Sequence, residues 1–367
     1  PIANNSGTTG IAKYWNNTNS ALSPTNLTPL KGIVSEQGIV LMSGVKHPRG
    51  PFTPKEIAGM PGIYLLLFYN NAGGGWYGRD PYFLSCGRET LLANGEVTIL
   101  WSQPEIILYD SEYRGGTSGG GYPDFIFTDA ADAGGGVPNV YITTAQKGIP
   151  HPAKSRSYLI QIDPSIIQGL LTQHIASHVP TTIQPILSLK GTTDMNTPTK
   201  LKQLPATGTT PETNQQGFTI IFTVENHGIH ALPGNQLISH DYMDLTVGGD
   251  VKNVSSLHLN FSYIDGRGSN FQGRTNEMCT GILVAEGKHQ ISIVADGGAN
   301  IVSFVIDGVY CDASWSWIPP TGMRDIPESN FTVYSKSQEY GGTIDMFNVY
   351  DRALRTSEII AMYRTTM

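Results

Sequence analysis

From about residue 30 onward, short apolar runs alternate with Gly-rich polar turns. This pattern predicts strands at 38–42, 63–69, 82–86, 98–101, 106–109, 125–128, 140–143 and 158–162. One helical period follows at 163–175. Asp163 is a suitable N-cap, Pro164 sits where a missing N–H costs nothing, and Ile166, Ile167, Leu170, Leu171 and Ile175 recur at intervals of three and four. Strand-like alternation resumes at 217–224 and continues at 257–263, 281–284, 289–295, 301–307, 331–334 and 343–350.

Between the two β-rich regions, 11 of the 23 residues from Gly191 to Thr213 are Thr or Pro. Such a stretch buries little apolar surface and reads as a linker. The expected organisation is an all-β portion over 1–190, a linker over 191–214 and a β-sandwich over 215–367. Strands at this spacing suit a sandwich or a propeller.

Composition narrows the function. Forty-two Gly and 23 Pro among 367 residues favour strands and loops over helical bundles. Charged residues make up 14% and the net charge is −7, so no basic stripe is available to neutralise a row of phosphates. Nucleic acid is therefore excluded as the expected partner. The longest strongly apolar run, 62–69, is far shorter than the ~20 residues of a membrane helix. Gly73–Gly75, Gly119–Gly121 and Gly134–Gly136 lack the Lys-Ser/Thr and βαβ setting of a phosphate cradle and read as hairpin loops.

Glycosylation sequons at Asn4, Asn16, Asn26, Asn253, Asn260 and Asn330 point to secretion into the extracellular space. The chain begins at Pro1 without an initiator Met or apolar leader, which suggests a processed or truncated product. Cys279 and Cys311 fall in one compact domain and can pair in an oxidising compartment. Cys86 is left as a buried apolar residue or a bridge to another segment. His174 and His178 are four apart but lack the third ligand of a zinc site. His227, His230 and His240-Asp241 read as loop and strand-end residues rather than a metal centre, so the metal is unassigned.

The segment 342–359, Gly-Thr-Ile-Asp-Met-Phe-Asn-Val-Tyr-Asp-Arg-Ala-Leu-Arg-Thr-Ser-Glu-Ile, closely resembles the closing strand and short helix of laminin-G-like, concanavalin A-like jelly rolls. Residues 301–308, ending in Asp307-Gly308, and Gly287-Lys288-His289 are similar to further elements of that family. The resemblance implies a jelly roll over 215–367. It also implies carbohydrate as a partner, with calcium as the cofactor it admits. Trp315 and Trp317, beside Pro319 and Pro320, suit either a platform for a sugar face or a contact with the first domain.

In the first region, Trp101-Ser102-Gln103-Pro104-Glu105, Tyr122-Pro123-Asp124, Gln146-Lys147 and Ile162-Asp163-Pro164 resemble a sialidase-like or glycoside hydrolase-like β-propeller. Arg79-Asp80-Pro81 is similar to an element of furanoside-cleaving propellers. Glycosidic cleavage requires one carboxyl to protonate the leaving oxygen and another to activate water or attack the sugar. The resemblance implies Asp80, Glu105 and Asp124 in these roles. Arg79, Arg88, Tyr122, Gln146 and Lys147 would hold the substrate.

Thr144 stands where the family pattern carries a Glu, so catalysis can have been lost. About 190 residues precede the linker, fewer than a complete propeller needs at ~40–50 per blade. A second chain or upstream fragment is therefore expected to complete it. The fold expectation is all-β, with a partial propeller followed by the jelly roll. The function expectation is a secreted glycan-directed protein resembling a glycoside hydrolase, with a non-catalytic lectin or adhesive glycoprotein as the alternative.

Overall fold

The computed structural model of the chain describes residues 13–15, 27–29, 33–34, 40–41, 48–49, 54–70, 82–91, 93–95, 97–108, 121–128, 136–147, 155–174, 183–191, 198–204, 217–226, 235–250, 253–264, 270–274, 286–297, 301–311, 325–333 and 342–366. They are almost entirely β. The chain divides into two units, Pro1–Asn71 with Gly75–Ser177, and Ala72–Gly74 with His178–Met367.

The first unit opens with two small hairpins, β1 (Lys13–Trp15) on β2 (Leu27–Pro29) and β3 (Ile33–Val34) on β4 (Val40–Leu41). A six-stranded antiparallel sheet follows. Its centre is β7 (Ile63–Asn70) against β8 (Tyr82–Leu91); β5 (Pro48–Arg49) and β6 (Lys55–Glu56) flank β7, and β9 (Val97–Trp101) and β10 (Glu105–Leu108) flank β8. The third sheet is the meander β11 (Gly121–Phe127), β12 (Val140–Lys147) and β13 (Ser155–Gln161).

Helix α1 (Pro164–Thr172) forms where the sequence pattern places it. The Asp163 carboxylate accepts from the Ser165 N–H at 2.9 Å, and Pro164 opens the first turn. Leu65, Leu67, Tyr82, Leu84 and Cys86 of the larger sheet, Phe125, Val140 and Ile142 of the smaller one, and Ile167 and Leu170 of α1 share one buried core.

The second unit is a sandwich of two six-stranded antiparallel sheets. One runs in the order β14 (Leu187–Lys190), β25 (Gly342–Tyr350), β16 (Gly217–Asn226), β21 (Gly287–Asp296), β22 (Ile301–Ile306), β23 (Val309–Cys311). The other runs β15 (Thr199–Leu201), β24 (Ser329–Val333), β17 (Asn235–His240), β18 (Met243–Asp250), β19 (Asn253–Ile264), β20 (Asn270–Arg274). Alternate residues of both sheets meet in a single core, as period-2 strands facing one another must. Across the layers, Phe331 and Phe347 stand 5.0 Å apart between ring centres, and Phe218 meets Phe261 edge-on at 6.3 Å.

Two features of this unit correct the expected boundaries. The division falls after Ser177 rather than at 190, and 187–190 and 199–201 are strands of the sandwich rather than the end of the first domain and part of a linker. The physical reason is a few apolar anchors inside a Thr/Pro-rich stretch. Leu189, Leu201 and Leu204 are buried in the sandwich core, and β14 and β15 each hydrogen-bond to a sheet edge. Strands β17, β18 and β20 are also additional to the sequence reading, whereas the expected strand at 281–284 lies outside the described residues.

The turn ending at Asp307-Gly308 forms as a tight hairpin between β22 and β23, with φ of 50° and 74° at its two central residues. Left-handed backbone at both positions is what a two-residue hairpin of this type demands, and Asp-Gly supplies it. Asp307 Oδ1 accepts from the Gln290 N–H at 2.8 Å and Oδ2 lies 2.6 Å from His289 Nδ1, which pins the turn to β21.

The chain closes with α2 (Thr356–Thr366). Its Glu358 carboxylate reaches back to the Arg355 N–H at 2.8 Å and pairs with Arg352 at 2.8 Å. Thr219 on β16 donates to the Arg352 carbonyl and accepts from the Leu354 N–H, both at 2.9 Å, tying the entry of α2 to the sheet.

Because Phe347 joins Phe222 within its sheet and Phe331 across the layers, Phe347→Ala is expected to lower stability by about 3–5 kcal/mol. Urea unfolding of wild type and variant measures this; a change below about 1 kcal/mol would show that the interlayer rings do not hold the sandwich.

Candidate functional site

In the first unit, β9 turns into β10 through Ser102-Gln103-Pro104, and the segment from Trp101 to Glu105 is buried throughout. Several hydrogen bonds fix it. The Ser102 N–H donates to the Cys86 carbonyl at 2.7 Å, and the Cys86 N–H returns to Ser102 Oγ at 2.9 Å. Just beyond α1, Gln173 forms a two-way bracket, accepting from the Gln103 N–H at 2.7 Å and donating to its carbonyl at 3.3 Å. His174 Nε2 donates to the Cys86 carbonyl at 3.0 Å. Trp101 lies over Gly87, where an added Cβ would come within 2.8 Å of the indole and 2.5 Å of Ile99. A glycine is required there by close approach.

Glu105 is 3% exposed and pairs across the ladder with Leu84. Cross-strand partners share a face, so its side chain lies on the face of β8 that builds the core of the unit.

Asp124 stands differently. Its side chain is 64% exposed and pairs with Lys55 at 3.2 Å. Lys55 also donates to the Phe125 carbonyl at 2.6 Å, and Asp124 Oδ1 accepts from the Phe125 N–H at 2.8 Å. Phe125 turns into the core, and alternation along β11 sends Asp124 outward. Glu105 and Asp124 belong to different sheets.

Arg88 is exposed on β8, opposite Ile63 and Leu100. Gln146 and Lys147 pair with Arg156 and Ser155, and Tyr122 lies on β11; their side chains, like Arg79 and Asp80 altogether, are outside the described residues. Burial pushes the Cys86 thiol up to about 12, so it stays protonated and unreactive.

In the second unit, the described outward side chains of β24, β18 and β19 are polar, and they range from half-buried to exposed. Thr246 pairs with Asn260 and Asp244 with Ser262, and Asn330 and Thr332 extend the face on β24. The intervening residues, among them Leu245, Phe261 and Phe331, fill the core. Two sequon asparagines are therefore on this face, Asn330 exposed and Asn260 half-buried. Asn253 opens β19, and Asn4, Asn16 and Asn26 lie outside the described residues, as do Trp315, Trp317, His178, His227, His230 and Cys279.

His240, at the end of β17, is structural. Its Nδ1 accepts from the Tyr242 N–H at 3.2 Å, so Nε2 carries the proton and donates to Ser329 Oγ at 2.5 Å. A ring in that tautomer cannot take a proton from Ser329, which excludes a serine–histidine dyad. Among the described residues no group of three or more His, Cys, Asp or Glu side chains is arranged to hold a metal ion. No described helix is long and apolar enough to cross a membrane.

No family model and no curated protein matches the chain. Solved structures similar to it include the CBM40 module of the Ruminococcus gnavus IT-sialidase bound to α2,3-sialyllactose, at 12% identity over 49% of this chain and 99% of that one, with a TM-score of 0.30. A Trypanosoma rangeli sialidase in complex with sialic acid shares 13% identity over 87% of this chain and 53% of its own, at a TM-score of 0.27. The botulinum neurotoxin serotype G binding domain shares 13% over 52% and 47%, at 0.31. Likenesses this slight do not assign a function.

Burial lowers the His240 pKa to about 4, against a weaker opposing pull from Asp241. Between the usual value near 6.5 and about 4 the unfolded chain binds a proton that the native chain refuses. The stability contribution is therefore full above pH ~6.5 and lost on acidification, by about 3 kcal/mol in total. Unfolding free energies from pH 7.5 to 4.5 are expected to show this slope, reduced in His240→Gln; identical slopes would contradict it.

Proposed function

We propose that the chain is a secreted glycan-directed protein, with a glycoside hydrolase-like first unit and a lectin-like second unit. The observation that carries this reading is the polar, partly exposed sheet face of the sandwich. Thr246, Asn260, Ser262, Thr332 and Asn330 spread amide and hydroxyl groups over a rigid ladder, the kind of surface that hydrogen-bonds sugar hydroxyls. The closing strand, the Asp307-Gly308 hairpin and α2 agree with the laminin-G-like resemblance of the same residues.

The first unit supports the reading through its antiparallel meander sheets, consistent with propeller blades, and through Glu105, a buried acid in a braced segment. Asp80 is its proposed partner in acid–base work, with Arg79, Arg88, Tyr122, Gln146 and Lys147 around the substrate. Completion of the propeller by further chain belongs to the same reading. The non-catalytic alternative draws its support from Asp124, whose exposure and pairing with Lys55 suit a surface ion pair.

Glycan-array binding by the full chain should saturate, and hydrolysis of the bound glycans should fall at least ~10²-fold in Glu105→Gln while Asp124→Asn stays within about threefold. Saturable binding without turnover selects the lectin; no binding at all removes the proposal.

Extracellular residence also implies a disulfide between Cys279 and Cys311. Cys86 is free and buried, and Cys311 is buried at the end of β23. Denatured, unreduced protein is expected to react with one equivalent of thiol reagent and, after reduction, with three; three equivalents before reduction would exclude the bridge.

A further inference from the structure

Part of the face of the first sandwich sheet that points away from the core is also closed to solvent, and several of its buried side chains are polar. On β16, Phe222 and Val224 enter the core, so Ile221 and Thr223 lie on the opposite face. Thr223 pairs with Gln290, and Ile221 has Ser292 on one side and Asn348 on the other. Thr223 and Ser292 are 0% exposed, Gln290 1% and Asn348 9%. Among the described residues, five of their atoms, Thr223 Oγ1, Gln290 Oε1 and Nε2, Ser292 Oγ and Asn348 Oδ1, have no hydrogen-bond partner, although the Asn348 side chain does bond to Tyr350. Strand spacing confines the group to a patch about 10 Å across.

Buried hydroxyl and amide groups left unpaired are costly and rare. Here they cluster on three adjacent strands and offer both donors and acceptors. None carries a charge, so an ion would lack a counter-charge among them. We propose that Thr223, Gln290, Ser292 and Asn348 bind a small internal water cluster that bridges β21, β16 and β25. At about three hydrogen bonds per buried water, five atoms call for about two molecules. Beside Gln290, at the Asp307-Gly308 turn, the Tyr363 ring of α2 comes within 3.1 Å of a Cβ built on Gly308.

Thr223→Val and Ser292→Ala remove a hydroxyl with little change in volume. If the site is wet, the waters lose a ligand and the thermal midpoint of the full chain falls by roughly 2–4 °C in each variant. If it is dry, removing an unpaired hydroxyl leaves the midpoint unchanged or raises it, which would overturn the proposal. A crystal structure of the wild-type chain that resolves ordered solvent decides the case independently of how the variants fold. Density for waters within hydrogen-bond distance of these atoms is expected; a dry face, protein atoms or an additive's hydroxyls in their place would refute it.

Discussion

The sandwich depends on the register of β16. This strand lies between β21 and β25, and its two ladders settle which of its side chains enter the core. Phe218, Ile220, Phe222 and Val224 go inward together, and Thr219, Ile221 and Thr223 go outward. A slip of one residue would exchange these sets, placing threonines among the phenylalanine rings. Thr219 reinforces the choice, because its hydroxyl is already engaged with the segment that leads into α2. Register, core and the docking of the last helix are thus one constraint.

In the first unit the comparable constraint is the lock on residues 101–105. A strand-to-strand connection normally runs over the surface, where water satisfies its backbone groups. This one is buried, and protein groups do that work: Ser102 with Cys86, Gln173 with Gln103, and His174 with the Cys86 carbonyl. Glu105 is consequently presented from a rigid support. The same burial leaves Cys86 a packing residue with no chemistry of its own.

Much of this was readable from the chain because it is local. The start of α1 follows from Asp163 and Pro164, the β22–β23 hairpin from Asp307-Gly308, and the closing strand from its alternation. What was hidden depends on distant partners. Leu189 and Leu201 look incidental in a Thr/Pro-rich stretch until the edges of two sheets are present to receive them. Asp124 faces outward on β11, and its ion-pair partner Lys55 is 69 residues away. The role of His240 follows from the Tyr242 N–H and Ser329, which together fix the position of its proton. The orphaned polar face behind β16 leaves no trace in composition, since Thr, Gln, Ser and Asn at alternate positions read as solvent-facing.

The placement of Asn260 and Asn330 on one side of the sandwich has a further consequence. An oligosaccharide attached to either would rise from the very ladder offered as a recognition surface and sweep the space above it. Such a modification would act as a mask, giving the bare polypeptide and a decorated form different reach toward the same ligand.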